Sequence, residues 1–144
     1  MIEIRPCTFA DLPALVQVEQ ESLAHPWTKE SLHTALSARE SQLAFLAEEE
    51  GQVIAYALFQ YLLDEGELWR LAVLPAQQNK GLGRCLLETG LDALQTRGVH
   101  RIFLEVAADN GPAIHLYEKL CFERIAVRPN YYGQRDGYIY RWEG

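Results

Sequence analysis

Residues 67–98 constrain this chain more than any other stretch. An apolar strand over residues 67–74 is stopped by Pro75, and the run Gln78-Asn79-Lys80-Gly81-Leu82-Gly83-Arg84 leads into a strongly periodic helix. Cys85, Leu86, Leu87, Leu91 and Leu94 are expected to mark its buried face, with Gly98 just past its end. A strand feeding a glycine-rich turn and then a helix is the physical recipe for an anion site. The first-turn N–H groups lack intrahelical partners, and the helix dipole places partial positive charge there. Gly81 and Gly83 leave no Cβ in the way of a phosphate, and Lys80 and Arg84 add formal positive charge. The turn alone leaves two readings open, a phosphate cradle and a structural turn. A nucleoside-triphosphate P-loop is excluded, because no G-x-x-x-x-G-K-[ST] is present, and the third glycine of a dinucleotide fingerprint is missing.

Around this segment the chain alternates between strand and helix patterns. Residues 2–5 read as a short strand, and Thr8 is placed to cap a helix from near Ala10 with Leu12, Leu15, Val16 and Val18 or Leu23 inward. Thr28 is placed to cap a second helix to about Ala38. Residues 42–47 and 52–62 read as strands joined by a turn at Glu50-Gly51, and residues 100–107 as a strand carrying Glu105. Asn110 and Pro112 open a helix to near Leu120, followed by strands at 122–127 and 138–142. The order β-α-α-β-β-β-α-β-α-β-β predicts an α+β fold, a mixed sheet with helices on both faces. No linker or repeat interrupts it, so residues 1–144 are expected to form a single domain.

The formal charge of −7 argues against a non-specific grip on nucleic acid or an anionic membrane and suits a cationic partner. No apolar run is long enough for a membrane span, and Met1-Ile2-Glu3-Ile4-Arg5 lacks the order of a signal peptide. Cys7, Cys85 and Cys121 are odd in number and widely spaced, which argues against a disulfide framework or a structural zinc site. A cytoplasmic protein without a metal is the expectation.

Gln78-x-x-Gly81-x-Gly83, set between Arg70-Leu71-Ala72-Val73 and a long helix, resembles the acyl-CoA signature of the GNAT acetyltransferases. Leu104-Glu105-Val106, Asn110, Ala113, Leu116-Tyr117 and Phe122 resemble that family's second block. His25-Pro26-Trp27-Thr28, Asp64-Glu65 and Arg128-x-Asn130-Tyr131-Tyr132 are similar to the branch that acetylates the N-terminal alanine of a ribosomal small-subunit protein. Ala107 and Asp109 depart from that branch where a basic residue and a serine are expected. Cys121 stands in place of the glycine usual before the phenylalanine, which implies a strained residue or an altered helix end.

The resemblance implies a GNAT-like, mostly antiparallel central sheet and acetyl-CoA as cosubstrate. It places the cofactor at Leu71, Ala72, Val73, Gln78, Asn79, Lys80, Gly81, Leu82, Gly83, Arg84 and Asn110, with a bulge in the 71–73 strand freeing an N–H for the oxyanion. Glu105 is the implied base and Tyr117 the implied acid. Read from the residues alone, Glu105 is equally an exposed strand glutamate, Tyr117 a core tyrosine and Asn110 a helix cap. Tyr131 and Tyr132 are candidates to line an acceptor channel, and Asp64 and Glu65 to receive basic residues of the acceptor. The implied partner is a basic protein N-terminus, without direct nucleic-acid or membrane binding, for a monomer or weak dimer. Two alternatives stay open: a GNAT enzyme acting on a small amine, polyamine or lysine, and a non-catalytic acyl-CoA-binding module.

Overall fold

The computed structural model describes residues 1–38 and 40–144. The elements run β1 (Ile2–Pro6), α1 (Leu12–Ser22), α2 (Lys29–Ser37), β2 (Gln42–Glu49), β3 (Gln52–Leu62), β4 (Glu65–Val73), α3 (Leu82–Thr96), β5 (Arg101–Ala107), α4 (Gly111–Lys119), β6 (Glu123–Tyr132) and β7 (Arg135–Glu143). They build a seven-stranded sheet of order β1-β2-β3-β4-β5-β7-β6. β4 and β5 pair in parallel, whereas β1–β2, β2–β3, β5–β7 and β6–β7 are antiparallel. The sheet is mixed, as the element order predicts, and mostly antiparallel, as the resemblance implies. Among the described residues no helix is long and apolar enough to cross a membrane.

Two compact units divide the chain. The first comprises Met1–Gln60 and Trp69–Ala93. Its core gathers Leu12, Leu15 and Val18 of α1, Leu32, Ala35 and Leu36 of α2, and Leu46, Tyr56, Leu58 and Ala72 of the strands. α1 starts later than the pattern suggested. Phe9–Asp11 form a 3-10 turn, because the Asp11 carboxylate accepts from Thr8 N at 2.8 Å and binds the Arg5 guanidinium through both oxygens at 2.8 and 3.0 Å. Thr28 caps α2 as expected, its hydroxyl accepting from Ser31 N at 3.1 Å. Leu82, Leu86, Leu87, Leu91 and Leu94 are buried on α3, but Cys85 is exposed. Its apolar character misled: it sits one residue before the inward Leu86, on the flank of the stripe. Gly90 lies against Phe59 of β3, where a Cβ would stand 2.1 Å from the ring.

The second unit comprises Tyr61–Leu68 and Leu94–Gly144. Strand alternation puts Ile102, Leu104 and Val106 in its core and turns Phe103, Glu105 and Ala107 to the opposite, half-buried face. Two helix ends in the chain use the same capping bonds with different residues. After α3, Val99 N donates to Leu94 O and Gly98 N to Gln95 O, with Gly98 at φ 86°. After α4, Phe122 N donates to Tyr117 O and Cys121 N to Glu118 O, with Cys121 at φ 70°. The strained residue expected at Cys121 is therefore present. β6 and β7 are longer than the pattern suggested. A register shift between Arg128 and Tyr132, with Asn130 at φ 54°, absorbs the irregular residues and lets Tyr132 pair with Arg135.

Candidate active site

The glycine turn lies wholly in the first unit. Pro75–Gln77 form a 3-10 turn, Asn79 takes φ 64° and Gly81 φ 82°. The first bond of α3 runs from Cys85 N to Gly81 O at 3.0 Å, so the N–H groups of Leu82, Gly83 and Arg84 have no intrahelical acceptor. A Cβ built on Gly81 would meet nothing within 4 Å. Glycine is therefore needed there for its left-handed backbone, while the space above it stays open. Gln78 Nε2 ties the turn to the end of β4 by donating to Val73 O at 3.1 Å, and Leu74 N donates to Ile54 O at 2.9 Å. Of the strand residues named with the turn, Ala72 is buried and Leu71 and Val73 half-buried. Lys80 Nζ donates to Gln77 Oε1 at 3.2 Å, and Arg84 forms a surface pair with Glu88 at 3.4 Å. That i,i+4 pair stands half in solvent and is weak. The turn can thus present three backbone donors, a helix dipole and two lysine or arginine charges to a phosphate group.

The first unit also holds a buried carboxylate that sequence reasoning missed. Glu19 of α1 has no solvent exposure. Its Oε1 accepts from Trp27 N at 2.8 Å and Arg70 Nη2 at 2.7 Å, and its Oε2 from Arg70 Nε at 3.0 Å and from the Tyr56 hydroxyl. Arg70 Nη2 also reaches His25 O at 3.2 Å, and its guanidinium lies 5.0 Å over the Trp27 ring. One charge thereby pins the His25–Thr28 segment. The only signal was an acidic residue next to Val18 on the apolar side of a helix, with its partners 37 and 51 residues away.

The second unit gathers most of the remaining candidates. Glu105 projects from β5 with its side chain 23% exposed. Its Oε2 is buried and makes no hydrogen bond to any described residue, and Arg128 Nε stands 3.5 Å away. Tyr117 of α4 is buried, its ring 5.9 Å from Phe122 and 6.5 Å from Tyr140. Burial pushes its phenol well above the ordinary range, and Tyr132 adds to the shift. It therefore keeps its proton at any physiological pH. Asn110 is the α4 cap, Oδ1 accepting from Ala113 N at 3.3 Å, which leaves the amide nitrogen as the group with donor capacity. Tyr131 and Tyr132 sit at the end of β6, their rings edge to face at 5.0 Å, and Arg128 lies 5.1 Å over the Tyr131 ring. Asp109, where a serine was expected, pairs with Arg135 at 3.3 Å.

Asp64 and Glu65 are placed elsewhere. Both carboxylates pair with Arg101, at 3.2 and 3.5 Å, and Asp64 O accepts from His100 N at 2.8 Å. Arg101 precedes Glu105 by four residues on β5, about 13 Å of strand. The structure therefore sets these two acids about four strand residues away from Glu105 and supplies their counter-charge locally.

Comparison with known proteins shows the family and the fold. The model of the acetyltransferase (GNAT) family matches residues 12–122. The chain is 43% identical over 127 residues to the [ribosomal protein bS18]-alanine N-acetyltransferase of Escherichia coli K12, covering 88% of this chain and 84% of that protein. It is 42% identical over 128 residues to the protein of the same name from Salmonella typhimurium, covering 89% and 85%. The crystal structure of the Escherichia coli ribosomal-protein-S18-alanine N-acetyltransferase superposes with a TM-score of 0.93 at 38% identity, covering 99% of this chain and 94% of that one. A glycine turn at the mouth of α3 and a β5 carboxylate whose buried oxygen accepts no hydrogen bond thus stand in a chain that belongs to the GNAT acetyltransferase family.

Proposed function

We propose that this protein transfers an acetyl group from acetyl-CoA to the N-terminal α-amine of an alanine-starting ribosomal small-subunit protein, with residues 1–144 as one catalytic domain. The observation that carries the catalytic half is the buried Glu105 oxygen without a hydrogen-bond donor. A purely structural carboxylate would be saturated, as burying an unsatisfied one costs several kcal/mol. The acceptor half rests on the relatives of 42 and 43% identity, whose names specify bS18 alanine.

Acetyl-CoA supplies an activated acyl thioester when bound. The residues present fit its pyrophosphate: the Leu82, Gly83 and Arg84 N–H groups would donate to it, Gly81 leaves open space, and Lys80 and Arg84 would balance its charge. Leu71–Val73 backbone, Gln78, Asn79 and Asn110 are the further candidates to hold it. Glu105 takes the proton that the amine gives up, directly or through a water. Tyr117 would be the group that returns a proton to the departing sulfur, since burial keeps that proton on the phenol at neutral pH. An α-amine of pKa about 8 asks far less of the base than a lysine amine near 10.4. Tyr131 and Tyr132 border the acceptor position.

The test is to incubate the protein with acetyl-CoA and, separately, an alanine-starting peptide, a lysine peptide with a blocked N-terminus, and spermidine. CoA release with the first alone is expected. Release only with lysine or spermidine would overturn the acceptor, and CoA binding with no release to any amine would overturn catalysis.

A further inference from the structure

Glu105 reaches its cation across an intervening strand. Ala107 of β5 stands opposite Gly137 of β7, and Gly137 opposite Arg128 of β6. Residues directly opposite share a face of the sheet, as do residues two apart on one strand, so Glu105, Gly137 and Arg128 project to the same side. Neighbouring strands are about 4.8 Å apart, which puts the β6 backbone roughly 10 Å from that of β5. An arginine spans that gap only where the middle strand carries nothing in between. Gly137 is that place. A Cβ on it would stand 3.0 Å from Glu105 Oε2, 3.2 Å from Tyr132 Cε2 and 3.4 Å from Tyr131 Cβ. Gly137 is absent from the glycines of positive φ, so room rather than backbone freedom is what glycine supplies here.

We propose that Arg128 is a positioning residue that holds the Glu105 carboxylate over Gly137, and that Gly137 is the clearance that makes this hold geometrically possible. The proposal rests on the reading of Glu105 as the base. The contact is an ion pair at 3.5 Å without hydrogen-bond geometry, between side chains 53% and 23% exposed. It therefore orients the carboxylate without saturating Oε2, which stays able to accept a proton from the acceptor. The same guanidinium lies 5.1 Å over the Tyr131 ring, a cation–π contact that helps to fix its place beside the carboxylate.

The experiment compares Arg128→Met, Arg128→Lys, Gly137→Ala, the Arg128→Met/Gly137→Ala double variant and Glu105→Gln with the parent protein, on an alanine-starting peptide. In Arg128→Met, kcat is expected to fall roughly ten- to a hundredfold, as misplaced reacting groups do. The acceptor KM should not rise, and the acetyl-CoA dissociation constant and melting temperature should stay the same. Arg128→Lys should recover part of kcat. Gly137→Ala should lower kcat in the same direction, and the double variant should be no slower than the slower single variant. Full turnover in Arg128→Met, or a loss matched by a lower melting temperature, overturns the proposal, as does an additive double variant. Should Gly137→Ala fail to fold, the two Arg128 variants decide alone. Glu105→Gln separates the two levels: full turnover there sinks the base itself, whereas low turnover there with full turnover in Arg128→Met sinks only the positioning role.

Discussion

Each unit takes a glutamate out of water, the first wholly and the second only in part, and each treats it differently. Glu19 in the first is fully enclosed and accepts four hydrogen bonds, from a backbone N–H, a tyrosine and two arginine nitrogens. Glu105 in the second has a buried oxygen with no donor and a cation 3.5 Å off. Removing a carboxylate from water is costly in both places. The first unit offsets that cost with four hydrogen bonds and obtains a joint between a helix, a loop and two strands. The second leaves it partly outstanding, and a carboxylate in that condition has capacity left for a substrate proton. On the reading proposed above, saturation rather than burial is what separates the structural acid from the chemical one.

The sharpest way to break this contrast is Glu19→Ala. It strands the Arg70 charge and the Tyr56 hydroxyl, and urea unfolding should show a loss of about 3 kcal/mol or more. A midpoint unchanged from the parent would show that the network does not bear on stability. Glu105→Gln should do the opposite, leaving the urea midpoint nearly in place while turnover drops on the order of a hundredfold or more. Tyr117→Phe sharpens the point within the second unit. Turnover should fall by about one to several orders with acetyl-CoA affinity nearly intact, measured by titration beside steady-state kinetics. Unchanged turnover would remove the phenol from the chemistry.

Alkaline pH should treat the two units alike. Burial raises the phenols of Tyr56 and Tyr117, and burial with the bond to Glu118 pushes Tyr140 up to about 12. Unfolded phenols titrate near 10, so above that pH the unfolded chain loses protons that the folded one keeps. Stability contributed by these groups is intact below about pH 10. It then falls by up to roughly 1.4 kcal/mol per pH unit for each, until the folded phenol itself ionises. Urea midpoints at pH 8 and pH 11 check this, and Tyr56→Phe should flatten the drop. The smallest effect expected is a gain: Cys121→Gly relieves a left-handed residue and should stabilise by about 1 kcal/mol, seen as a higher melting temperature.

Much of this was legible in the sequence, where the signals are local. The helix and strand order follows from periodicity, the α3 mouth from Gly81 and Gly83, and the orientation of Glu105 from simple alternation along β5. The strain at Cys121 was legible because a capping position demands a particular backbone. What escaped reading depends on partners far along the chain. Glu19 and Arg70 lie 51 residues apart, and Asp64 looked available because Arg101, 37 residues on, could not be seen beside it. Gly137 escaped for a different reason. A glycine that supplies backbone freedom tends to announce itself in a turn, but one that supplies empty space sits unmarked in a strand.

Gly90 shows what such empty space entails. With the Phe59 ring occupying the place where its Cβ would be, positions 59 and 90 share a single allotment of volume. A heavier residue at 90 should therefore travel with a smaller one at 59, whereas a smaller residue at 59 alone would only leave a cavity. A Gly90→Ala lineage that keeps phenylalanine has to displace either the ring or α3, and in the second case the glycine turn at the helix mouth moves with it.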